Sequence, residues 1–251
     1  MHVVELWRHA VKSLQGESLA EATVEDSGLA GDRRWGIVDC ETGKVLTARR
    51  APALLLASAR LTDTGVELTL PDGAVVAAPG ADANDVLSAW IGRPVELVHA
   101  ESMGAGVGEF FQDATDDTSA VVSWTMPAGR FVDALPLLVV TTASIRAGRA
   151  LYPDGAWETR RFRPNIVVDV DGDGWVEDAW CGGTLRIGRA VLQPAARCER
   201  CTMVTRPQPG LDRDLDVFKA LARNHDSTFG VWTAVQTSGV VRVGDDVELT
   251  G

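Results

Sequence analysis

Cys198-Glu199-Arg200-Cys201-Thr202-Met203-Val204-Thr205 is the stretch from which the rest of the chain is best ordered. It holds two of the four cysteines and follows the apolar run Ala190-Val191-Leu192-Gln193-Pro194. It also opens onto a β-prone run, Thr202 to Thr205, so the expected geometry is a thiol at the mouth of a strand with an arginine beside it. Arginine favours the thiolate, the form that ligates metals and attacks electrophiles. From these residues alone several readings stay open: a metal ligand, a nucleophile, a redox or oxidised Cys-x-x-Cys pair, or two incidental thiols.

Working outward, Leu185-Arg186-Ile187-Gly188 and Ala190-Val191-Leu192 read as a hairpin that feeds the cysteine segment. Downstream, Leu211 to Ala222 has apolar Leu215, Phe218, Leu221 and Ala222 at helical spacing. Phe229 to Trp232 and Val240 to Val247 then close the chain as β structure. Upstream, Leu135 to Val140 predicts a buried strand, followed by a helix over Ile145 to Leu151 with Ser144 as its N-cap. Arg161-Phe162-Arg163-Pro164-Asn165 leads into a strand at Ile166 to Asp169. In the N-terminal third, Val3 to Trp7 reads as a strand and Arg8 to Leu14 as irregular. Trp35 to Asp39 and Val45 to Arg49 are expected to form a hairpin across Glu41-Thr42-Gly43-Lys44. Leu54 to Leu61, Val66 to Leu70 and Ala74 to Ala78 continue the β pattern, and Asn84 to Ile91 is a short helix ending at Gly92. Gly104 to Arg130 is rich in Gly, Ser, Thr and Asp, which suggests a long connection or a loop over a site. The fold class is α+β, dominated by β and barrel-like.

With 251 residues the chain has room for one large or two modest domains. It is 45% hydrophobic and 24% charged, as soluble globular proteins are. No apolar run approaches the roughly 20 residues that span a bilayer, and no secretion signal is visible, so a cytoplasmic location with reduced thiols is expected, without membrane attachment. The net charge of −11, from 35 acidic and 24 basic residues, argues against nucleic-acid binding. Acids crowd Asp113-Ala114-Thr115-Asp116-Asp117 and Asp169-Val170-Asp171-Gly172-Asp173, whereas arginines pair at Arg33-Arg34, Arg49-Arg50 and Arg160-Arg161. Such pairs are either a local anion pocket or ordinary solvated ion pairs.

Other chemistries find little support. Gly104-Ala105-Gly106-Val107-Gly108 mimics a dinucleotide fingerprint, but no strand leads in and no helix follows. His2, His9, His99 and His225 lack metal-ligand spacing or a Ser-His-Asp context, and a four-cysteine zinc site would need a second pair beyond the isolated Cys40 and Cys181. What remains is a candidate thiolate, several arginines and the early Lys12-Ser13 pair. Cationic forks bind phosphate and thiolates bind soft metals, so the set suggests a phosphorylated cofactor carrying a soft-ligand metal.

Over nearly its whole length the chain resembles the MOSC family, named for the C-terminal domain of molybdenum-cofactor sulfurases. The likeness to the β-barrel domain that precedes MOSC runs through Ala10-Val11-Lys12-Ser13-Leu14-Gln15-Gly16, Gly28-Leu29-Ala30-Gly31-Asp32-Arg33-Arg34-Trp35 and Leu46-Thr47-Ala48-Arg49. The likeness to MOSC itself runs through Pro136-Leu137-Leu138, Ala143-Ser144, Arg161-Phe162-Arg163-Pro164-Asn165-Ile166 and Glu177-Asp178. It continues through Ile187-Gly188, Cys198-Glu199-Arg200-Cys201, Phe229-Gly230 and Val243-Gly244-Asp245. The implied division is an N-terminal β domain over 1–105, a linker or covering loop over 106–130 and a MOSC β-barrel domain with short helices over 131–251.

The resemblance implies the molybdenum cofactor rather than pyridoxal phosphate, with Cys201 as metal ligand as in the amidoxime-reducing branch. It implies that Lys12, Ser13 and Arg33 contact the pterin and its phosphate, and that Thr142, Ser144, Arg163, Asn165 and Arg200 line the cofactor. Cys198 takes a supporting or structural part. Where relatives tend to carry an Asp after the cysteines, this chain has Arg206. Some bacterial relatives add a C-terminal iron–sulfur domain; no four-cysteine cluster pattern follows here, so electrons are expected from a separate protein of ferredoxin or flavin-reductase type. The expected activity is reduction of small N-oxygenated compounds. The alternatives are a molybdenum-cofactor or sulfur carrier bearing a persulfide on Cys201, and a Cys198–Cys201 redox pair.

Overall fold

Leu137-Leu138-Val139-Val140 becomes the middle of the largest sheet, and the elements around it follow from covering both of its faces. The computed structural model describes residues 1–113, 116 and 118–251, so within the acidic stretch Ala114, Thr115 and Asp117 lie outside the described residues. The first part runs β1 (His2–Arg8), β2 (Glu17–Leu19), β3 (Glu21–Glu25), β4 (Gly28–Leu29) and β5 (Trp35–Asp39). Next come β6 (Ser58–Thr62), β7 (Gly65–Thr69), β8 (Val75–Ala78), α1 (Ala83–Ile91), β9 (Val95–His99) and α2 (Ala100–Met103). A hairpin follows, β10 (Val107–Phe111) with β11 (Val121–Thr125). The second part runs β12 (Leu137–Thr141), α3 (Thr142–Leu151), α4 (Thr159–Phe162), β13 (Ile166–Asp169), β14 (Thr184–Ile187) and β15 (Ala190–Glu199). It ends with α5 (Leu215–Asn224), β16 (Thr228–Thr237), β17 (Gly239–Arg242) and β18 (Val247–Thr250).

Eight strands form one sheet in the order β18-β14-β15-β16-β12-β13-β1-β2. All five residues of β12 are buried, because β13 flanks it in parallel, β16 flanks it antiparallel, and apolar groups cover both faces. Successive residues of a strand point to opposite faces. Leu137 and Val139 accordingly join one core with Val3, Leu192 and Val231, while Leu138 and Val140 join another with Phe162, Phe218 and Phe229. A third core gathers Leu54, Leu55, Leu68 and Leu87 under the β6-β7-β8 meander and α1. The first strand of the chain crosses into the large sheet, where Leu6 faces Ile166, and β3 pairs with β17. The fold is strand-rich with short helices, and no helix among the described residues is long and apolar enough to cross a membrane.

Several local expectations are corrected. Val45 to Arg49 is no strand: Val45 makes single bridges to Val38 and Gly108, and the amides of Arg50 and Ala51 both donate to the Thr47 carbonyl, turning the chain. The partner of β5 is β9 instead. Pro52 opens a 3-10 turn through Leu56, so Leu54 to Leu56 precede β6 rather than belong to it. Thr202–Thr205 is also a 3-10 turn, since the Thr205 hydroxyl donates to the Thr202 carbonyl at 2.8 Å and offers the backbone a local alternative to the sheet. The cysteine pair therefore sits at the end of β15, not at the start of a strand. The Gly104–Arg130 stretch contains the β10–β11 hairpin, in register from Val107↔Thr125 to Phe111↔Val121. The cap of α3 is Thr141, whose hydroxyl accepts from the Ser144 amide at 3.1 Å. In α5, capped by Asp214, Val217, Phe218 and Leu221 are buried, whereas Leu215 and Ala222 are exposed.

Candidate cofactor site

A cavity opens at the end of β15, lined by Lys12, Ser13, Arg33, Arg49, Arg163, Arg200 and Cys201, with Asp133 among the cations. Among the described residues five non-glycine residues have positive φ, and three of them, Ser13 (71°), Arg33 (50°) and Arg163 (56°), line this cavity. Left-handed backbone costs about 1–3 kcal/mol at such residues and is retained where surrounding contacts over-determine it, which is a mark of functional sites.

Those contacts are specific. Lys12 follows β1, its amide donating to the Trp35 carbonyl at 2.8 Å, and its Nζ donates to the Phe131 carbonyl at 2.9 Å and to Asp133 Oδ1 at 2.7 Å. The Ser13 hydroxyl accepts from the Ala48 amide at 3.0 Å, which ties the strained residue to the segment that carries Arg49. Arg33 Nη1 donates to buried Asp32 at 2.5 Å and to Asn165 Oδ1 at 3.3 Å, and its Nη2 reaches the Arg163 carbonyl. Arg163 caps the C-terminus of α4 and donates from Nη1 to the Leu14 carbonyl at 2.6 Å. Asn165 is fully buried behind Arg33, accepting also from the Leu138 amide and donating to the Trp7 carbonyl.

Burial disfavours all this charge, and the cations repel one another. Burial first, then Arg33, pulls the Arg163 guanidinium down to about 9. Burial also lowers Lys12, with Asp133 opposing. Burial would raise Asp133, yet Lys12 and Arg49 outweigh it and hold the carboxyl below its ordinary range. His9, behind the same cations, is lowered well below an ordinary histidine by burial and then by Arg163 and Arg33.

The thiols are placed differently. Cys201 is half-buried and receives Arg49 Nε at 3.4 Å. Arg49 also pairs with Asp133 Oδ2 at 2.8 Å and lies over the Trp124 ring at 4.9 Å and the Phe110 ring at 5.6 Å. Cys198 is fully buried in the core, and burial raises its thiol pKa against the opposing pull of Arg200, whose Nη1 lies 3.0 Å away. A thiol so placed is a poor attacking group, which weighs against a Cys198–Cys201 redox pair; all four cysteines are free.

Lys12, Ser13, Arg33, Arg163, Arg200 and Cys201 thus converge. Thr142 and Ser144 lie elsewhere. The Thr142 hydroxyl donates to Asp169 at 2.7 Å beside a separate groove with Trp7 and Arg146, and the Ser144 hydroxyl donates to buried Glu177 at 2.6 Å. Arg206 is buried beyond the 3-10 turn, and its carbonyl accepts from Arg161. Sequence reasoning missed Arg49 and Asp133 as site residues. Arg49 carried a signal, since it stands in the quoted Leu46-Thr47-Ala48-Arg49 stretch; Asp133 carried none.

An arginine-lined thiol cavity within a strand-rich fold defines the class. Comparison then supplies the family. Residues 1–116 match the MOSC N-terminal beta barrel domain and residues 128–248 match the MOSC domain, so the chain belongs to the MOSC family, with its N-terminal barrel domain. Mitochondrial amidoxime-reducing component 1 of Mus musculus is 28% identical over 291 residues, covering 99% of this chain and 82% of the relative. Mitochondrial amidoxime reducing component 2 of Homo sapiens is 27% identical over 285 residues, covering 98% and 82%. The crystal structure of the YUAD protein from Bacillus subtilis shares the fold at a TM-score of 0.51 and 11% identity, over 99% of this chain and 94% of that one.

Proposed function

We propose that the protein is a reductase of N-oxygenated compounds that holds the molybdenum cofactor with Cys201 as metal ligand and draws electrons from a separate protein. The observation that carries this reading is the convergence of one accessible thiol with Lys12, Arg33, Arg163 and Arg200 in a single cavity. The donor set fits the group: the cations answer a phosphate dianion, and the thiol is a soft ligand. Among the described residues no three His, Cys, Asp or Glu are grouped to hold a metal, so the chain offers one ligand rather than a cage. Among the described residues Arg200 Nε is buried without a hydrogen-bond partner, a donor left over for a bound anion. The likeness to amidoxime-reducing components supports the same reading.

When bound, the cofactor supplies two-electron reduction of the N–O bond. The chain's own residues do the rest. Lys12, Ser13, Arg33 and Arg163 hold and orient the phosphorylated pterin. Arg49 Nε donates to the Cys201 sulfur at 3.4 Å and fixes its place in the cavity. Asp133, kept ionised by Lys12 and Arg49, balances charge and is no proton donor at neutral pH.

The test is molybdenum per chain by mass spectrometry after expression in a cofactor-making host, with Cys201→Ser alongside, followed by benzamidoxime reduction with a chemical electron donor. Near-stoichiometric metal in the parent, lost in the variant, together with turnover, supports the proposal. Absence of both metal and pterin sinks it. Persulfide trapped on metal-free Cys201 without any turnover favours the carrier role instead.

A further inference from the structure

We propose that the β10–β11 hairpin builds the substrate side of Cys201 and selects compounds whose N–O group is carried on a flat aromatic body. This selectivity presupposes the reductase activity proposed above. A second cavity of about 280 Å³ shares Arg49, Glu199, Arg200 and Cys201 with the cation-lined one and is otherwise walled chiefly by Phe110, Phe111, Gln112 and Thr202. Cys201 therefore stands where two cavities meet.

Their chemistries differ. Lys12, Arg33 and Arg163 border only the inner cavity, so a phosphate finds its full set of cations there. The outer cavity has two phenyl rings in its wall and the exposed Asp113 at its border, and lacks those three cations, a poorer seat for a dianion. The rings are held in place before any ligand arrives. Arg49 lies over Phe110, Arg50 lies over Phe111 at 4.6 Å, and Phe110 meets Trp124 edge-on at 5.6 Å. Neither phenyl ring is fully buried, so aromatic surface remains for a ligand. At the thiol end Arg49 Nε donates to Cys201 Sγ at 3.4 Å, and the Arg200 guanidinium, which donates to Cys198 Sγ at 3.0 Å, borders the same cavity. A compound entering with its N–O oxygen toward Cys201 places polar atoms against the arginines and its flat body against the rings. The volume lies just below the range of drug-sized ligand cavities, about 300–1,000 Å³, which suits a small compound built on one ring.

The experiment is calorimetric binding of benzamidoxime and acetamidoxime to molybdenum-loaded protein before any reductant is added, repeated on metal-free protein. The parent is compared with Phe110→Leu and Phe111→Leu, which keep an apolar side chain and remove the flat ring. The parent should favour the aryl compound about tenfold, the worth of a stacked ring contact, and the leucine variants should lose most of that preference with molybdenum content and melting temperature unchanged. Equal affinity for both compounds in the parent, or an undiminished preference in both variants, overturns the inference. A fall in molybdenum content in a folded leucine variant also overturns it, by assigning the outer cavity to the cofactor. Aryl preference without turnover leaves the hairpin assignment standing and removes the reductase reading.

Discussion

Replacing Asp133 by alanine removes the acid that two cations of the cavity share. Lys12 Nζ and Arg49 Nη2 lie 2.7 and 2.8 Å from its two oxygens. Breaking a fully buried pair costs about 3–5 kcal/mol, because the remaining charge is stranded. Here 31% of the Asp133 side chain and 20% of Arg49 stay exposed, so water screens part of that loss. The expected cost is about 2–3 kcal/mol. In a chain of 251 residues each kcal/mol moves the melting temperature by about 2–4 °C, so Asp133→Ala should melt roughly 4–12 °C lower at pH 7. The sign of the pH dependence follows from the depressed carboxyl. Its stabilisation is complete above the unfolded carboxylate value of about 3.9 and is lost as pH falls through the lower folded value, so parent and variant should converge only in strong acid. Millimolar inorganic phosphate should recover part of the loss in the variant, and more than it raises the parent, because Lys12 and Arg49 are then free to bind it. The assay is scanning calorimetry across pH, with and without phosphate. A drop below about 2 °C at pH 7, or a gap that is the same at every pH, refutes the reasoning.

Three further perturbations test neighbouring parts of the structure. His9 refuses in the fold the proton that the unfolded chain takes below about pH 6.5, so stability should fall as pH drops from 7 to 5, and His9→Gln should flatten that slope in urea titrations. A Cβ at Gly148 would come within 2.3 Å of the Trp157 ring, so Gly148→Ala should cost about 1–3 kcal/mol by calorimetry; an unchanged melting temperature would show that the ring gives way. Arg163→Ala should weaken inorganic phosphate binding to metal-free protein about tenfold, read by calorimetric titration, and no change would take Arg163 out of the anion site.

Much of the site was legible in order along the chain. Lys12-Ser13, the Arg33-Arg34 pair and Arg200-Cys201 have residue types that fit anion or metal binding, Arg163 entered only through the resemblance to MOSC proteins, and the apolar runs at Leu137, Ile166 and Ala190 marked strands by composition alone. What the sequence could not show is how those stretches meet. Arg49 reaches Cys201 across 152 positions and Asp133 across 84, and nothing local to either residue specifies the pairing. The sheet order brings β1 beside β13 and β15 beside β16, and the contacts of Ser13 with Ala48 and of Lys12 with Asp133 then carry Arg49 and Asp133 into the same cavity. Thr142 and Ser144 make the converse point, because the helix they begin turns their hydroxyls toward Asp169 and Glu177, away from that cavity. The hairpin over Cys201 was hidden for another reason: in a strand half open to solvent the alternation is weak, and Gly, Ser and Thr read as a loop. Local chemistry and the type of the buried, strongly patterned elements were written in the sequence. Convergence was decided by tertiary packing, since a contact between distant residues is fixed by burying both faces of a sheet and by no property of either residue alone.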